Sequence, residues 1–167
     1  SRLTSDPAVS ARPRLAWNGG GYGVVWSDDR HGEGEIYFLP LSSDGTPAGV
    51  ERRVTVAAGG AREPQIAWTG SEYALIWVDD RLGSAELFFQ RLDAQGLPGG
   101  PDVRVTFGAA NPRVPRLLWT GTQIAAVWKD DRESNGEFWL APLARDGVRL
   151  GGDVRLTDSP ASVFDPA

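Results

Sequence analysis

Short apolar runs alternate with clusters of glycine, proline, asparagine and aspartate along almost the whole chain. In the first stretch the runs are "PRLAW" (13–17), "YGVVW" (22–26), "EIYFLPL" (35–41) and "RRVTV" (52–56). The breaks between them are "NGGG", an Asp-Asp-Arg turn and "SSDGTPAG". Runs of this length, rich in β-branched and aromatic residues and bounded by turn formers, predict four strands joined by hairpin connections. No segment of useful length carries the helical period. The second run and its later counterparts, "YALIW" and "IAAVW", are apolar at successive positions. A sheet covered on both faces produces that pattern, and a sheet wetted on one side does not.

The pattern recurs every 51 residues without insertion or deletion. Trp17, Trp68 and Trp119 share this step, as do Trp26, Trp77 and Trp128. So do Pro13, Pro64 and Pro115, Gly45, Gly96 and Gly147, and Thr4, Thr55, Thr106 and Thr157. Asp28-Asp29-Arg30 returns as Asp79-Asp80-Arg81 and Asp130-Asp131-Arg132, and Glu35 returns as Glu86 and Glu137. The recurring element is W-x-D-D-R-x(4)-E-[ILF]-[YFW]. The expected organisation is one repeat domain over 1–167, with units at about 1–51, 52–102 and 103–153 and residues 154–167 opening a further repeat.

A four-stranded unit of this size with both faces buried is the sequence form of a β-propeller blade. Here the W-x-D-D-R motif, followed by a D-x-x-G turn, resembles bacterial propeller repeats of the TolB/WD40-like (PD40) kind over essentially the whole chain. The resemblance implies an all-β protein with three four-stranded blades and gives the acid–arginine turn a structural role. It also leans towards an extracellular or periplasmic location. The alternative is a β-trefoil, which also has three four-stranded repeats. Two features count against it. The Q-x-W motif of lectin trefoils is missing, and the fourth-run motif appears four times, as "RLT" (2–4), "RVT" (53–55), "RVT" (104–106) and "RLT" (155–157).

Three blades are too few to close a ring, because propellers carry about four to eight. The expectation is therefore a homo-oligomer, with two chains completing six blades and a nine-bladed trimer as the less favoured arrangement. Leu3, Thr4, Leu156 and Thr157, in the two terminal copies of the fourth-run motif, are the candidates for strand exchange at the closure. The six periodic tryptophans, Trp17, Trp26, Trp68, Trp77, Trp119 and Trp128, are expected in the core between blades. The last segment, "DSPASVFDPA", tracks "SDPAVSARP" near the start, which leads to the expectation that the parent protein carried more blades.

Charge and composition narrow the chemistry. The formal charge of −5 and the lack of any basic stripe argue against nucleic acid and anionic membrane as partners. The absence of cysteine excludes disulfides, thiolate chemistry and cysteine-ligated zinc. No apolar run reaches the ~20 residues that a helical span needs.

The acids at 28, 29, 33 and 35 invite a calcium reading, but the loop lacks D-x-D-x-D-G spacing and serine replaces position 33 in the second unit (Ser84). An Asp-box reading fails at the glycine and the aromatic position. His31, the only histidine, does not recur: Leu82 and Glu133 hold its place. With no cysteine either, nucleophilic catalysis has no support. The expectation is a structural turn with no catalytic residue, metal or cofactor. The chain reads as a non-enzymatic, self-associating scaffold or protein-interaction module. The alternative is a multivalent carbohydrate-binding propeller, with an aromatic ring beside Asp and Arg holding a sugar. A hydrolase fragment with its site in other blades is a third reading.

Overall fold

The structure is a computed structural model that describes all residues except 1–2, 5, 57, 109, 134–135 and 159–167. The described residues form twelve strands in three sheets. The first sheet contains β1 (Ser10–Trp17), β2 (Gly21–Asp28), β3 (Glu35–Ser42) and β4 (Arg52–Arg53). The second contains β5 (Ala61–Trp68), β6 (Tyr73–Asp79), β7 (Glu86–Leu92) and β8 (Val103–Arg104). The third contains β9 (Arg113–Trp119), β10 (Ile124–Asp130), β11 (Glu137–Leu143) and β12 (Val154–Arg155).

Each sheet is an antiparallel meander in which the strands lie in sequence order. That is the topology of a propeller blade, and it removes the trefoil alternative, whose hairpins would be shared between a barrel and a cap. The expected unit limits also need correction. Breaks at 51/52 and 102/103 fall just before β4 and β8, yet these strands pair with β3 and β7 of the sheet they follow. The fourth strand thus closes the blade that precedes it.

Local chemistry explains the hairpins. In the first, Asn18 Oδ1 accepts the amides of Gly20 (3.0 Å) and Gly21 (2.8 Å). In the turns after β3, β7 and β11, Asp44, Asp93 and Asp146 accept backbone amides at 46, 97 and 148, and Gly45, Gly96 and Gly147 take positive φ. Each first strand carries an irregularity in its pairing, between Ala11 and Arg14 in β1 and between Arg62 and Gln65 in β5. There a non-glycine residue adopts left-handed backbone: Arg12 (φ 54), Glu63 (φ 56) and Val114 (φ 45).

The blades stack face to face, and their first strands converge: β1 packs on β5, and β5 on β9. Between the first and second blades lie Val25, Ile36 and Phe38 against Ile66, Tyr73, Leu75, Trp77 and Phe88. Between the second and third lie Ile76, Leu87, Phe89 and Val105 against Ile124, Trp128, Trp139 and Leu143. β2 and β6 are buried on both faces, as the unbroken apolar runs anticipated, whereas in β10 Ala125, Val127 and Lys129 are only half-buried.

The two outer faces have no such cover. Trp17 lies on the outer face of the first blade and is 47% exposed in the single chain. Trp68 and Trp119, one and two units later, pack partly against the preceding blade. Trp26 is buried, but by Tyr37 and Leu3 and not by a neighbouring blade. Leu3 and Thr4 are half-buried, Leu156 is exposed, and most of the final segment (158–167) lies outside the described residues.

Candidate functional site

The Asp-Asp-Arg turn sits between the second and third strands of each blade and repeats the same bonding. Asp28 is fully buried; it accepts from Trp26 Nε1 (3.0 Å), Ser10 Oγ (2.8 Å), and the amide (3.1 Å), Nε (2.8 Å) and Nη2 (2.7 Å) of Arg30. Asp79 receives Trp77 Nε1 (2.8 Å) and Arg81, and Asp130 receives Trp128 Nε1 (3.1 Å) and Arg132. The arginine then reaches a second acid in the segment before the fourth strand: Glu51 (2.5 Å), Asp102 (2.5 Å) or Asp153 (2.6 Å). Its guanidinium also covers an aromatic ring of the third strand, namely Tyr37 (4.3 Å), Phe88 (4.3 Å) or Trp139 (4.2 Å).

These contacts set the ionisation. The Arg30 guanidinium holds the Asp28 carboxyl well below the usual carboxylate range, outweighing the opposing effect of burial; Ser10 and Trp26 add to the lowering. Arg30, Arg81 and Arg132 are raised, chiefly by the hydrogen bonds to Asp28, Asp79 and Asp130. The second acid of the turn is tied to the first strand. Asp131 binds both terminal nitrogens of Arg113 (2.6 and 2.7 Å), which lowers its pKa, and Asp80 pairs with Arg62. In the first blade Ala11 occupies that arginine position.

A second repeated cluster joins β3 to the end of the blade. The Thr55 hydroxyl accepts the Ile36 amide (2.9 Å) and donates to Glu35, which Arg53 also binds (2.5 Å). Thr106 and Arg104 do the same to Glu86, and Thr157 and Arg155 to Glu137. Glu35, Glu86 and Glu137 are all buried. The threonines and glutamates are each visible as repeats in the sequence, but their meeting is not, because it depends on the β3–β4 register.

The repeated acids other than Asp29 are thus committed to arginine, threonine and indole partners within their own blade. Among the described residues no group of three or more His, Asp or Glu side chains converges as a metal-binding set would. His31 meets the Tyr37 hydroxyl through Nδ1 (2.5 Å) at the edge of the first turn. The rings beside the turns lie beneath arginine, so a sugar would have to displace an ion-paired guanidinium to stack there.

One further grouping escaped the sequence reading, because its residues differ between units. Arg12, Glu63 and Val114 occupy equivalent positions on the converging first strands. Glu63 pairs with Arg12 of the preceding blade and accepts the Val114 amide of the following one (2.6 Å). One residue pair further along lie Arg14, Gln65 and Arg116. A signal was available in the arginine content of β1 and β9, but only the convergence of these strands gives it meaning.

No protein-family model matches the sequence. The fold resembles several solved structures at low identity. An endo-arabinase from Bacteroides thetaiotaomicron is similar over 90% of this chain and 61% of its own, with a TM-score of 0.64 and 15% identity. A protein described as TolB from Agrobacterium tumefaciens matches over 94% of this chain and 65% of its own, with a TM-score of 0.59 and 16% identity. The subtype N10 neuraminidase-like protein of A/little yellow-shouldered bat/Guatemala matches over 93% and 47%, with a TM-score of 0.62 and 11% identity. The chain spans less than two thirds of each of these proteins. What they share with it is the β-propeller fold, represented here by three blades.

Proposed function

We propose that this chain is a non-enzymatic, self-associating propeller segment, two copies of which join head to tail in a six-bladed ring that serves as a scaffold or protein-interaction module. The observation that carries the reading is the change in burial at one repeat position. Leu15 is 64% exposed, whereas Ile66, one unit later and facing a preceding blade, is 9% exposed. The other end mirrors it, with Val105 buried between blades and its counterpart Leu156 49% exposed. The two outer faces are therefore built as inter-blade faces. Left open, they present an apolar area of the kind that drives association.

The complementary shapes are already in the chain. Gly96 and Gly147 lie against the rings of Phe38 and Phe89 of the preceding blade, while Gly45 faces open space. In a head-to-tail ring Gly45 meets Leu140 of the second copy, the counterpart of those phenylalanines. On the same outer face a cavity of about 190 Å³ is lined by Leu3, Thr4, Ser10, Pro13, Val24 and Trp26. Leu3 sits there as Val54 and Val105 sit between later blades. At each joint Leu3 of one copy and Leu156 of the other compete for that slot, which gives the two terminal R-L-T segments the role of exchange elements. Two copies give a blade number within the usual range of about four to eight, and three copies exceed it.

The non-enzymatic part of the reading rests on the acids. Every repeated buried carboxylate is tied to an arginine of its own blade. Light scattering on the purified chain tests the assembly: a mass twice the 18.0 kDa of the chain is expected. A folded β protein with the mass of one chain, or of three, overturns the six-bladed ring.

A further inference from the structure

We propose that the cleft between the first Asp-Asp-Arg turn and the linker into the second blade binds a planar aromatic ring that carries a hydroxyl group. The cleft has a volume of about 470 Å³ and is lined by His31, Glu33, Glu35, Arg53, Val56 and Gly59, among others. That volume lies in the range of small-ligand sites. The cleft belongs to a single chain, at the boundary of its first two blades, so it exists with or without the ring of two copies. Backbone packing fixes its walls. The Asp80 amide donates to the Gly60 carbonyl (3.1 Å), and the Ala61 amide donates to the Gly34 carbonyl (2.9 Å). A Cβ at Gly59 would stand 2.7 Å from the Arg81 nitrogen, and one at Gly60 would stand 2.5 Å from the Glu33 carbonyl oxygen.

The three blades treat one repeated arginine differently. Arg53, Arg104 and Arg155 each bind the buried glutamate at the start of the third strand. The residue three positions on then varies. Phe107 places its ring against the Arg104 guanidinium (4.8 Å to the centroid), and Asp158 pairs with Arg155 (2.8 Å). In the first blade that residue is Val56, which is 73% exposed. Among the described residues nothing takes the place of Phe107 or Asp158 there, and Arg53 lines the cleft instead. An aromatic ligand stacked on Arg53 restores the contact that Phe107 makes in the second unit, since a guanidinium is attracted to the face of a ring. The hydroxyl of that ligand has partners that the second unit does not offer. Nδ1 of His31 bonds the Tyr37 hydroxyl (2.5 Å), which leaves Nε2 for a ligand. Glu33, exposed on the same loop, adds an acceptor. Leu82 and Ser84 hold these two positions in the second unit.

Amide chemical shifts of the isotope-labelled chain, titrated with p-cresol, N-acetyltyrosinamide or cyclohexanol, test the site. Both phenols are expected to move the resonances of His31, Glu33, Arg53 and Val56 to saturation. Cyclohexanol has the hydroxyl without the aromatic face, and it is expected to bind about fivefold more weakly or worse. Tighter binding of N-acetyltyrosinamide than of p-cresol assigns the ring to a tyrosine of a partner protein, and the opposite order assigns it to a free phenolic ligand. Val56→Phe supplies the missing ring from an exposed position. It is expected to leave the fold intact and to lower the affinity for p-cresol about fivefold or more, by covering Arg53 from within the chain. The comparison of phenols with cyclohexanol needs no variant, so it stands however Val56→Phe folds. No shifts at these residues, equal binding of cyclohexanol, or undiminished p-cresol binding by a folded Val56→Phe chain overturns the site. None of these results bears on the two-copy ring, which the solution mass tests separately.

Discussion

Gly96 lies directly on the ring of Phe38 in the preceding blade: a Cβ added at Gly96 would stand 2.3 Å from Phe38 Cδ1. Its backbone is also left-handed, with φ +79. Gly45, one unit earlier, has a similar φ of +80 and no atom within 4 Å. Alanine at either position carries the strain of a left-handed residue, about 1–2 kcal/mol. Only Gly96→Ala adds overpacking against a buried ring, about 1–3 kcal/mol more. Urea unfolding is therefore expected to show the larger loss for Gly96→Ala. Gly45→Ala is expected to leave a folded chain whose association is weakened, because in the proposed ring this glycine would meet Leu140 of the second copy. Equal unfolding losses for the two variants would count against the contact between blades.

The two acids of the turn should behave differently on substitution, although they are adjacent in every copy. Asp79 binds Trp77 Nε1 and three groups of Arg81, and it is buried. Asp79→Ala leaves a largely buried guanidinium and a buried indole N–H without their acceptor, a loss of about 3–5 kcal/mol. Asp29 has Ala11 across from it where Asp80 and Asp131 have Arg62 and Arg113. Asp29→Ala is expected to change stability by no more than about 0.5 kcal/mol. Thermal and urea denaturation of the two variants checks the contrast.

The buried ion pair also gives the fold an acid limb with a defined sign. The Asp28 carboxyl is held below its ordinary value in the folded chain, first by Arg30. The folded state therefore binds fewer protons at this group than the unfolded state does in mild acid. The resulting stability is fully present above the unfolded pKa of about 4. It is lost as the pH falls from there towards the depressed folded value. Asp28→Asn is expected to be less stable at neutral pH and to lose less on acidification. Urea midpoints between neutral pH and about pH 3 measure both effects. A variant with the same acid slope as the parent would contradict the role given to Asp28.

The sequence showed the repeat and the strand positions, because both rest on residue types recurring at a fixed step. Trp26, Trp77 and Trp128 have the same bond to the aspartate two residues on. What was not legible depends on neighbours in space. Trp17 and Trp68 are the same residue at the same repeat position, yet one lies on an outer face and the other against a blade. Thr55 and Glu35 are separated by twenty residues and meet only through strand register. The Arg12–Glu63–Val114 chain was hidden for the opposite reason: its bonding needs three different residues at one repeat position, so periodicity could not reveal it.

Leu15 and Ile66 offer the sharpest separation of folding from assembly, since they hold one repeat position in two environments. Ile66 packs with Val25, Phe38 and Trp77 between the first and second blades. An aspartate there places an unpaired charge inside the core, and Ile66→Asp is expected to unfold the chain or to cost more than about 3 kcal/mol. Leu15 is exposed in the single chain, so Leu15→Asp is expected to leave the circular dichroism spectrum and unfolding midpoint of the monomer nearly unchanged. In the proposed ring Leu15 would occupy the environment that Ile66 has, against the third blade of the second copy. The same aspartate there is buried without a partner, and association is expected to fall by about a hundredfold or more, the equivalent of about 3 kcal/mol. Light scattering across a dilution series reads that loss directly. A Leu15→Asp chain that still shows twice the single-chain mass at the lowest concentration would mean that this face is not the one through which the copies meet.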